Sequence, residues 1–226
     1  MKLIRMTILA AAALVLAACS QATSSGGGST TVSSNIENFQ EFTTNTQLTT
    51  DWTIGYAQST AVTPSVALVT GSGALGGTAS MTASYGEGSS ETYILTDFSI
   101  NSPAATSKLF TNLTSNYTSG RTGISITFKA SNFDTIRLYI RKTGNVDVYE
   151  GDIATGSVTT ATQTVKIPFN SFTVAGFSTS DGLVSSLRAG LAAGAFNNFT
   201  IETECDDSGA AAGATRTLQV ESVQYY

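Results

Sequence analysis

Apolar and polar residues alternate with a period of two along most of the chain beyond residue 35. In residues 124–129 and 136–141, Ile, Leu or Phe fills every second position, and Ser, Thr, Lys, Arg or Tyr fills the others. This alternation is typical of a β-strand with one buried and one solvated face. The same pattern predicts strands over residues 36–42, 52–57, 65–70, 78–85, 93–100, 124–129, 136–141, 146–149, 165–169, 199–205 and 217–226.

Helical spacing is found in a single segment, residues 181–191, where Leu183, Leu187 and Leu191 recur every four positions. The strands are separated by turn-forming Gly, Asn and Asp residues. About ten strands that each have one solvated face fit two antiparallel sheets packed face to face. The predicted fold class is therefore all-β, an antiparallel two-sheet sandwich with at most one short helix.

Composition narrows the classes of function. Only 12% of the 226 residues are charged, and 16 acidic residues outnumber 11 basic ones, so the clustered Lys and Arg of a nucleic-acid-binding surface are not found. The sequence has no His, which excludes Ser-His-Asp and Cys-His catalysis and His-ligated zinc. No motif fixes a carboxylate pair for glycoside hydrolysis. We therefore predict that the protein is not an enzyme.

The N-terminus has the pattern of an export signal. Two basic residues precede an apolar run over residues 8–16 that is too short to span a bilayer, and the letters LAAC follow at residues 16–19. This ending resembles the bacterial lipobox. The resemblance implies cleavage after residue 18, lipidation of Cys19 and a location in the cell envelope. Because Ser20 follows the cysteine, it implies the outer membrane in a Gram-negative cell.

The remaining chain divides into a tether and one domain. Residues 19–34 are rich in Ser, Thr and Gly and predict a flexible tether, and residues 35–226 predict a single sandwich domain. Cys205 shares strand parity with Phe199 and Ile201, which favours a buried thiol over one available for an intermolecular bond. The acidic balance predicts that any contact with the membrane is made through the lipid alone.

The order of segments within the domain is similar to one superfamily. The relevant segments are IENF at 36–39, the early Trp52, GISITFKA at 123–130, TIRLYI at 135–140, VKIPFNSF at 165–172 and LQVESVQY at 218–225. Together they resemble the galactose-binding-like jelly rolls, particularly family 11 carbohydrate-binding modules and complex I intermediate-associated domains. Two departures are an ATQ segment at 161–163, where an aromatic residue often precedes the IPF strand, and Glu221 in place of the usual Asp.

The resemblance implies a jelly-roll fold with three particular features. It places Trp52 inside the domain, although sugar contact by this ring stays the alternative. Phe169 and Phe172 would close the core beside a strand end marked by proline. Family members commonly hold a structural Ca²⁺ between the first and last strands, and the matching positions here are Glu37 and Glu221. Calcium needs several oxygen ligands, so backbone carbonyls would have to complete this site.

The outward positions of two adjacent predicted strands carry a distinctive polar set. Arg137, Tyr139 and Arg141 lie on one strand, and Asp147 and Tyr149 lie on the next. Aromatic faces stack on sugar rings, and Arg and Asp bind hydroxyl groups with directional hydrogen bonds. Cross-strand Arg–Asp and Tyr–Tyr pairs that merely stabilise an exposed sheet are the alternative. By resemblance, the ligand of this family lies on the concave sheet, where tyrosines and charged residues bind it.

These observations predict a lipid-anchored protein of the cell envelope that binds a polysaccharide or glycan without catalysis. The alternative is an adhesin-like or assembly protein that uses the same sandwich to bind a protein partner. Binding of nucleic acid is not expected. A structural calcium ion is the one cofactor that the sequence suggests.

Overall fold

The computed structural model describes residues 31–57, 62–69, 74–81, 96–100, 108–131, 135–142, 146–155, 161–178, 184–204 and 215–226. Val32–Tyr226 forms one compact unit. The predicted lipidation residue Cys19 and the predicted buried thiol of Cys205 lie outside the described residues. Within the described residues, no helix is long and apolar enough to cross a membrane.

Strands account for most of the described chain. They are β1 (Asn35–Glu37), β2 (Trp52–Ala57), β3 (Val62–Val69), β4 (Ala74–Met81), β5 (Thr96–Ile100), β6 (Gly123–Ser131), β7 (Thr135–Lys142), β8 (Val146–Thr155), β9 (Gln163–Pro168), β10 (Thr173–Val174), β11 (Asn198–Glu204) and β12 (Thr215–Tyr225). The helices are α1 (Asn45–Asp51), α2 (Lys108–Ser115) and α3 (Val184–Ala193).

The strands form two sheets in which the described pairs are antiparallel. Sheet A has the order β3-β4-β12-β6-β9, with β1 paired to β12, and sheet B has the order β10-β8-β7-β11-β5-β2. Alternate residues of β6 in sheet A and β7 in sheet B are buried in the same hydrophobic cluster. The predicted all-β two-sheet antiparallel sandwich is confirmed.

Aromatic residues fill the core as the sequence predicts. The ring of Trp52 is fully buried, 5.3 Å from the ring of Phe39 and 6.4 Å from that of Phe199 in an edge-on arrangement. Phe169 and Phe172 are also buried, on a 3-10 turn that follows β9, with ring centroids 6.3 Å apart. These contacts support the structural role that the sequence analysis favours for Trp52 and for the two phenylalanines.

The prediction of at most one short helix is wrong. Helix α3 overlaps the predicted segment 181–191, but α1 and α2 are additional. Helix α1 has seven residues and only one buried side chain, Leu48, so it shows no apolar periodicity. Its first turn is held by the side chain of Thr44, which accepts a hydrogen bond from the Gln47 amide. Helix α1 therefore depends on its cap and on tertiary packing, whereas α2 does carry helical spacing, with Leu109, Phe110 and Leu113 buried.

The domain binds the end of the predicted tether. The carbonyl groups of residues 32–34 accept hydrogen bonds from it. The Arg121 guanidinium donates to the carbonyl oxygens of Val32 (2.9 Å) and Ser33 (2.7 Å), and the Tyr225 amide donates to that of Ser34 (2.7 Å). These contacts attach the segment before β1 to the end of β12.

Candidate functional site

The outer face of sheet B carries a row of polar side chains on three neighbouring strands. The register pairs Arg137 with Asp152 and Glu202, and it pairs Tyr139 with Glu150 and Thr200. We refer to these residues, with the paired Arg141 and Asn198, as the polar face. Its members are Arg137, Tyr139, Arg141, Glu150, Asp152, Asn198, Thr200 and Glu202.

Arg137 links the two sides of the polar face. Its guanidinium lies 3.4 Å from the carboxylate of Asp152 on β8 and 3.9 Å from that of Glu202 on β11. The Arg137 side chain is 32% exposed and that of Asp152 is 63% exposed, so both are open to solvent. Ion pairs in this setting contribute little to stability, but they hold the donor and acceptor groups at defined positions.

Arg141 organises the other end of the polar face. Its Nε donates to Asn198 Oδ1 (2.8 Å), and its Nη2 donates to Thr200 Oγ1 (3.0 Å). The Thr200 hydroxyl in turn donates to Asn198 Oδ1 at 2.9 Å. The three side chains therefore form a closed hydrogen-bonded group across β7 and β11.

Tyr139 lies on this face as predicted, but it is not available as a stacking platform. The residue is only 4% exposed, and its hydroxyl donates to Glu202 Oε1 at 3.0 Å. Burial, reinforced by the negative charge of Glu202, raises the pKa of Tyr139 above its ordinary value. Its ring is covered by that of Phe177, with the centroids 5.8 Å apart.

The covering segment runs from β10 to Ser178. It is fastened to β8 at Val148, whose carbonyl accepts from the Ala175 amide (3.1 Å) and whose amide donates to the Ser178 hydroxyl (2.8 Å). A turn between Ala175 and Ser178, closed by a 2.8 Å hydrogen bond, presents Phe177. Because Phe177 is 50% exposed, it presents an aromatic ring to solvent on this face.

The predicted position of Tyr149 is wrong. Tyr149 is 1% exposed and belongs to the main core, where its ring meets that of Phe196 edge-on at 5.8 Å. The parity reverses because the β7–β8 register shifts between Ile140 and Lys142, next to a left-handed backbone at Asp147 (φ 51°). Val148, predicted to point inward, packs against Tyr139 on the outer side instead.

Asp147 pairs with a neighbour outside the predicted set. Its carboxylate forms an ion pair with Lys142, across the turn between β7 and β8. Aspartate tolerates the left-handed conformation better than most residues, which suits its place at the start of β8. Of the five predicted sugar-binding residues, the structure brings together Arg137, Tyr139 and Arg141.

The two predicted calcium ligands have different surroundings. Glu37 is 2% exposed, and its Oε1 accepts hydrogen bonds from the amides of Asn38 (2.8 Å) and Phe39 (2.7 Å). Glu221 Oε1 accepts from the Thr162 hydroxyl at 3.4 Å, toward β9. In the part of the chain that the structure describes, no three Asp, Glu, Cys or His residues form a group that could hold a metal ion. The calcium site stays a prediction, without a formed ligand set to support it.

Several residues of the candidate site are not identified by the sequence patterns. Asn198, Thr200 and Glu202 have the outward parity of β11, and this could have identified them as neighbours of Arg137 and Arg141. Extending the alternation of β8 through Glu150 and Asp152 would likewise have placed Tyr149 inward. No pattern indicates Phe177, because its position depends on a turn and not on strand periodicity.

Comparison with known proteins finds similarity among solved structures. No family model matches the sequence, and no curated protein matches it. Among solved structures, the chain is similar to the family 11 carbohydrate-binding module of the cellulosomal cellulase Lic26A-Cel5E of Clostridium thermocellum. The likeness covers 85% of this chain and 93% of that chain, with 16% identity and a TM-score of 0.44.

Proposed function

We propose that this protein binds carbohydrate without catalysis, through the polar face of sheet B and the adjoining ring of Phe177. The observation that carries the proposal is the half-exposed Phe177 ring packed on Tyr139, two residues along β7 from the solvent-accessible ion pair of Arg137 and Asp152. An aromatic face can stack on the apolar side of a pyranose, while guanidinium and carboxylate groups bind its hydroxyls. Because hydrogen bonds and ion pairs already fix these polar groups, little side-chain entropy would be lost on binding.

The alternative partner, a protein, has less support from the described surface. An interface of ordinary size buries roughly 20–30 residues on each side around an apolar centre. Among the described residues, the exposed large hydrophobic side chains are Val32, Val146 and Phe177. The polar face is instead built from charged and amide side chains, which suit a hydroxyl-rich ligand better than an apolar patch.

Replacement of Phe177 by Ala tests the proposal. We expect the wild-type chain to be retarded in native gels that contain at least one polysaccharide, such as β-glucan or xylan. The F177A variant should bind that polysaccharide about tenfold more weakly, since aromatic stacking contributes on the order of 1 kcal/mol beyond area burial. Retardation measured over a series of polysaccharide concentrations gives the affinity.

Val32→Ala is the matched control, because Val32 is 44% exposed but precedes β1 of the other sheet. Its affinity should equal that of the wild type, and thermal melting should show that both variants are folded. Equal retardation of F177A and wild type would contradict the proposed face. Absence of retardation by every polysaccharide would contradict carbohydrate binding and turn attention to a protein partner.

We further propose that the binding domain is held at the cell envelope by lipid on Cys19. The support is the export signal that ends in LAAC at residues 16–19. Two or three acyl chains anchor a protein stably, whereas one chain binds only marginally. On detergent phase separation of expressing bacterial cells, the wild type should enter the detergent phase and Cys19→Ser should stay in the aqueous phase. Wild-type protein found wholly in the aqueous phase would contradict anchoring.

A further inference from the structure

A cavity of about 390 Å³ lies between helix α2 and the connection from α3 to β11. Its lining comes from two short stretches of chain, residues 110–115 and 194–197. The lining residues are Phe110, Thr111, Thr114, Ser115, Gly194, Phe196 and Asn197. We refer to it as the α2–α3 pocket.

The end of α3 explains how the pocket is formed. Gly194 has φ +63°, and its amide donates to the Leu191 carbonyl (3.2 Å) while the Ala195 amide donates to that of Gly190 (2.9 Å). This pair of bonds is a Schellman motif, in which glycine takes the left-handed position. It turns the chain sharply, so that Phe196 returns against α3 at Gly190, where a Cβ atom would lie only 2.5 Å from the Phe196 ring.

Gly194 also leaves room on the helix α2 side of the pocket. A Cβ atom at this position would lie 3.0 Å from the Thr114 hydroxyl oxygen. Thr111, Thr114 and Ser115 occupy neighbouring positions on successive turns of α2, so their side chains approach the cavity together. The helix α2 side of the pocket thus carries hydroxyl groups, and the opposite side consists of Gly194, Phe196 and Asn197.

The chemistry of the lining is neutral throughout. Phe110 and Phe196 are 6% and 4% exposed, so they close the base of the pocket with a small apolar area and do not act as stacking platforms. Three hydroxyl groups and the Asn197 amide can donate and accept hydrogen bonds, and no charged side chain is among the lining residues. A charged ligand would find no counter-charge among these residues, whereas a small neutral molecule with several hydroxyl groups would find hydrogen-bond partners and a small apolar base. The volume lies within the usual range for small-molecule sites of about 300–1,000 Å³.

From this combination we infer that the α2–α3 pocket binds a single neutral sugar residue, at a site separate from the polar face. The pocket shares no residue with the polar face, so either site can fail without the other. The expected affinity is weak, in the millimolar range, because a monosaccharide has few atoms to bury.

Titration of the purified full chain with neutral monosaccharides tests this inference. D-glucose, D-galactose, D-mannose, D-xylose and N-acetylglucosamine are added separately while amide chemical shifts are followed by NMR. At least one sugar should produce saturable shifts at residues 111–115 and 194–197. Absence of saturable shifts with all five sugars, or shifts confined to β7 and β11, would overturn the inference.

Three variants sharpen the result. Ser115→Trp places a bulky ring from an exposed helical position into the pocket and should abolish the shifts. Ala189→Trp is the matched control on an exposed position of α3 outside the lining, and it should bind like wild type. Thr114→Val removes one hydroxyl group at nearly constant volume and should weaken binding about three- to tenfold.

Unchanged affinity in both S115W and T114V would overturn the inference even if sugars bind elsewhere. If S115W unfolds, T114V alone decides the matter. F177A should leave these shifts intact, which separates a failure of the pocket from a failure of the proposed sheet-face site.

Discussion

A buried carboxylate near the start of the domain, Glu37, makes the folding stability depend on pH. Glu37 is 2% exposed, and burial raises its pKa from 4.5 to about 7, assisted by the negative charge of Glu41. Hydrogen bonds from the amides of Phe39 and Asn38 oppose the rise but do not cancel it. The folded protein therefore holds this proton more tightly than the unfolded chain does.

The sign of the resulting pH dependence is opposite to that of a salt-bridged carboxylate. The stability that protonated Glu37 contributes is fully present below pH 4.5 and is lost as the pH rises to about 7. The whole effect on the free energy of unfolding is about 3 kcal/mol. Glu37→Gln keeps an acceptor oxygen for the two amides and removes the titration, so it should flatten the stability profile between pH 5 and 7.5.

Urea unfolding at a series of pH values measures this effect. Glu221→Gln, on the outer side of the same sheet, is the matched control and should retain the wild-type slope. Burial and the charge of Glu41 also raise the pKa of Asp51, so a small slope of the same sign should persist in E37Q. Identical slopes in E37Q and the wild type would rule out Glu37 as the source.

At the scale of elements, strand β8 packs closely against the opposite sheet at Gly151, which has no side chain. A Cβ atom at Gly151 would lie 2.7 Å from Ile167 Cγ2 and 3.1 Å from the ring of Phe172. Gly151 faces the core between Tyr149 and Ile153, so the two sheets close over this position. The requirement for glycine here comes from packing between elements and not from backbone conformation.

Gly151→Ala should therefore destabilise the protein by about 1–3 kcal/mol, as expected when a methyl group is forced into a filled core. Gly176→Ala is the matched control, because nothing lies within 4 Å of its added Cβ atom. The control should change the free energy of unfolding by less than about 0.5 kcal/mol. Chemical denaturation of both variants measures the free energy of unfolding. Equal values for the two variants would show that the core can accommodate a methyl group at Gly151.

The elements also show which parts of the fold follow from sequence pattern. Strands β6 and β7 are predicted well because long alternating runs fix both their extent and their buried face. The position of strand β8 in the chain is predicted correctly. Its buried face is predicted wrongly, because one register shift in the β7–β8 pairing turns Tyr149 inward and Val148 outward. Predicted strand 36–42 ends at Glu37 for a related reason, since Phe39 takes a left-handed conformation (φ 57°). A register shift or a left-handed conformation at a single residue does not change the alternation of apolar and polar residues, so the sequence pattern cannot predict it.

For the whole molecule, the sequence predicts the sandwich but only part of the candidate site. The two charged residues Arg137 and Arg141 are located correctly because the alternation of β7 continues through both and its pairing with β11 has no register shift. The residues that complete the site come from β11 and from the turn that carries Phe177, and these positions depend on which strands become neighbours. Strand order is a long-range property, so a single strand's pattern does not contain it.

The hydrogen bonds around residues 32–34 also determine how the domain would carry a mechanical load. Tension that enters through residue 31 first meets the two bonds from Arg121 and the bond from the Tyr225 amide, at the edge of sheet A. These bonds join only residues 32–34 to the surface, so under a load applied at residue 31 they would be the first hydrogen bonds to break, before the pairing of β1 with β12.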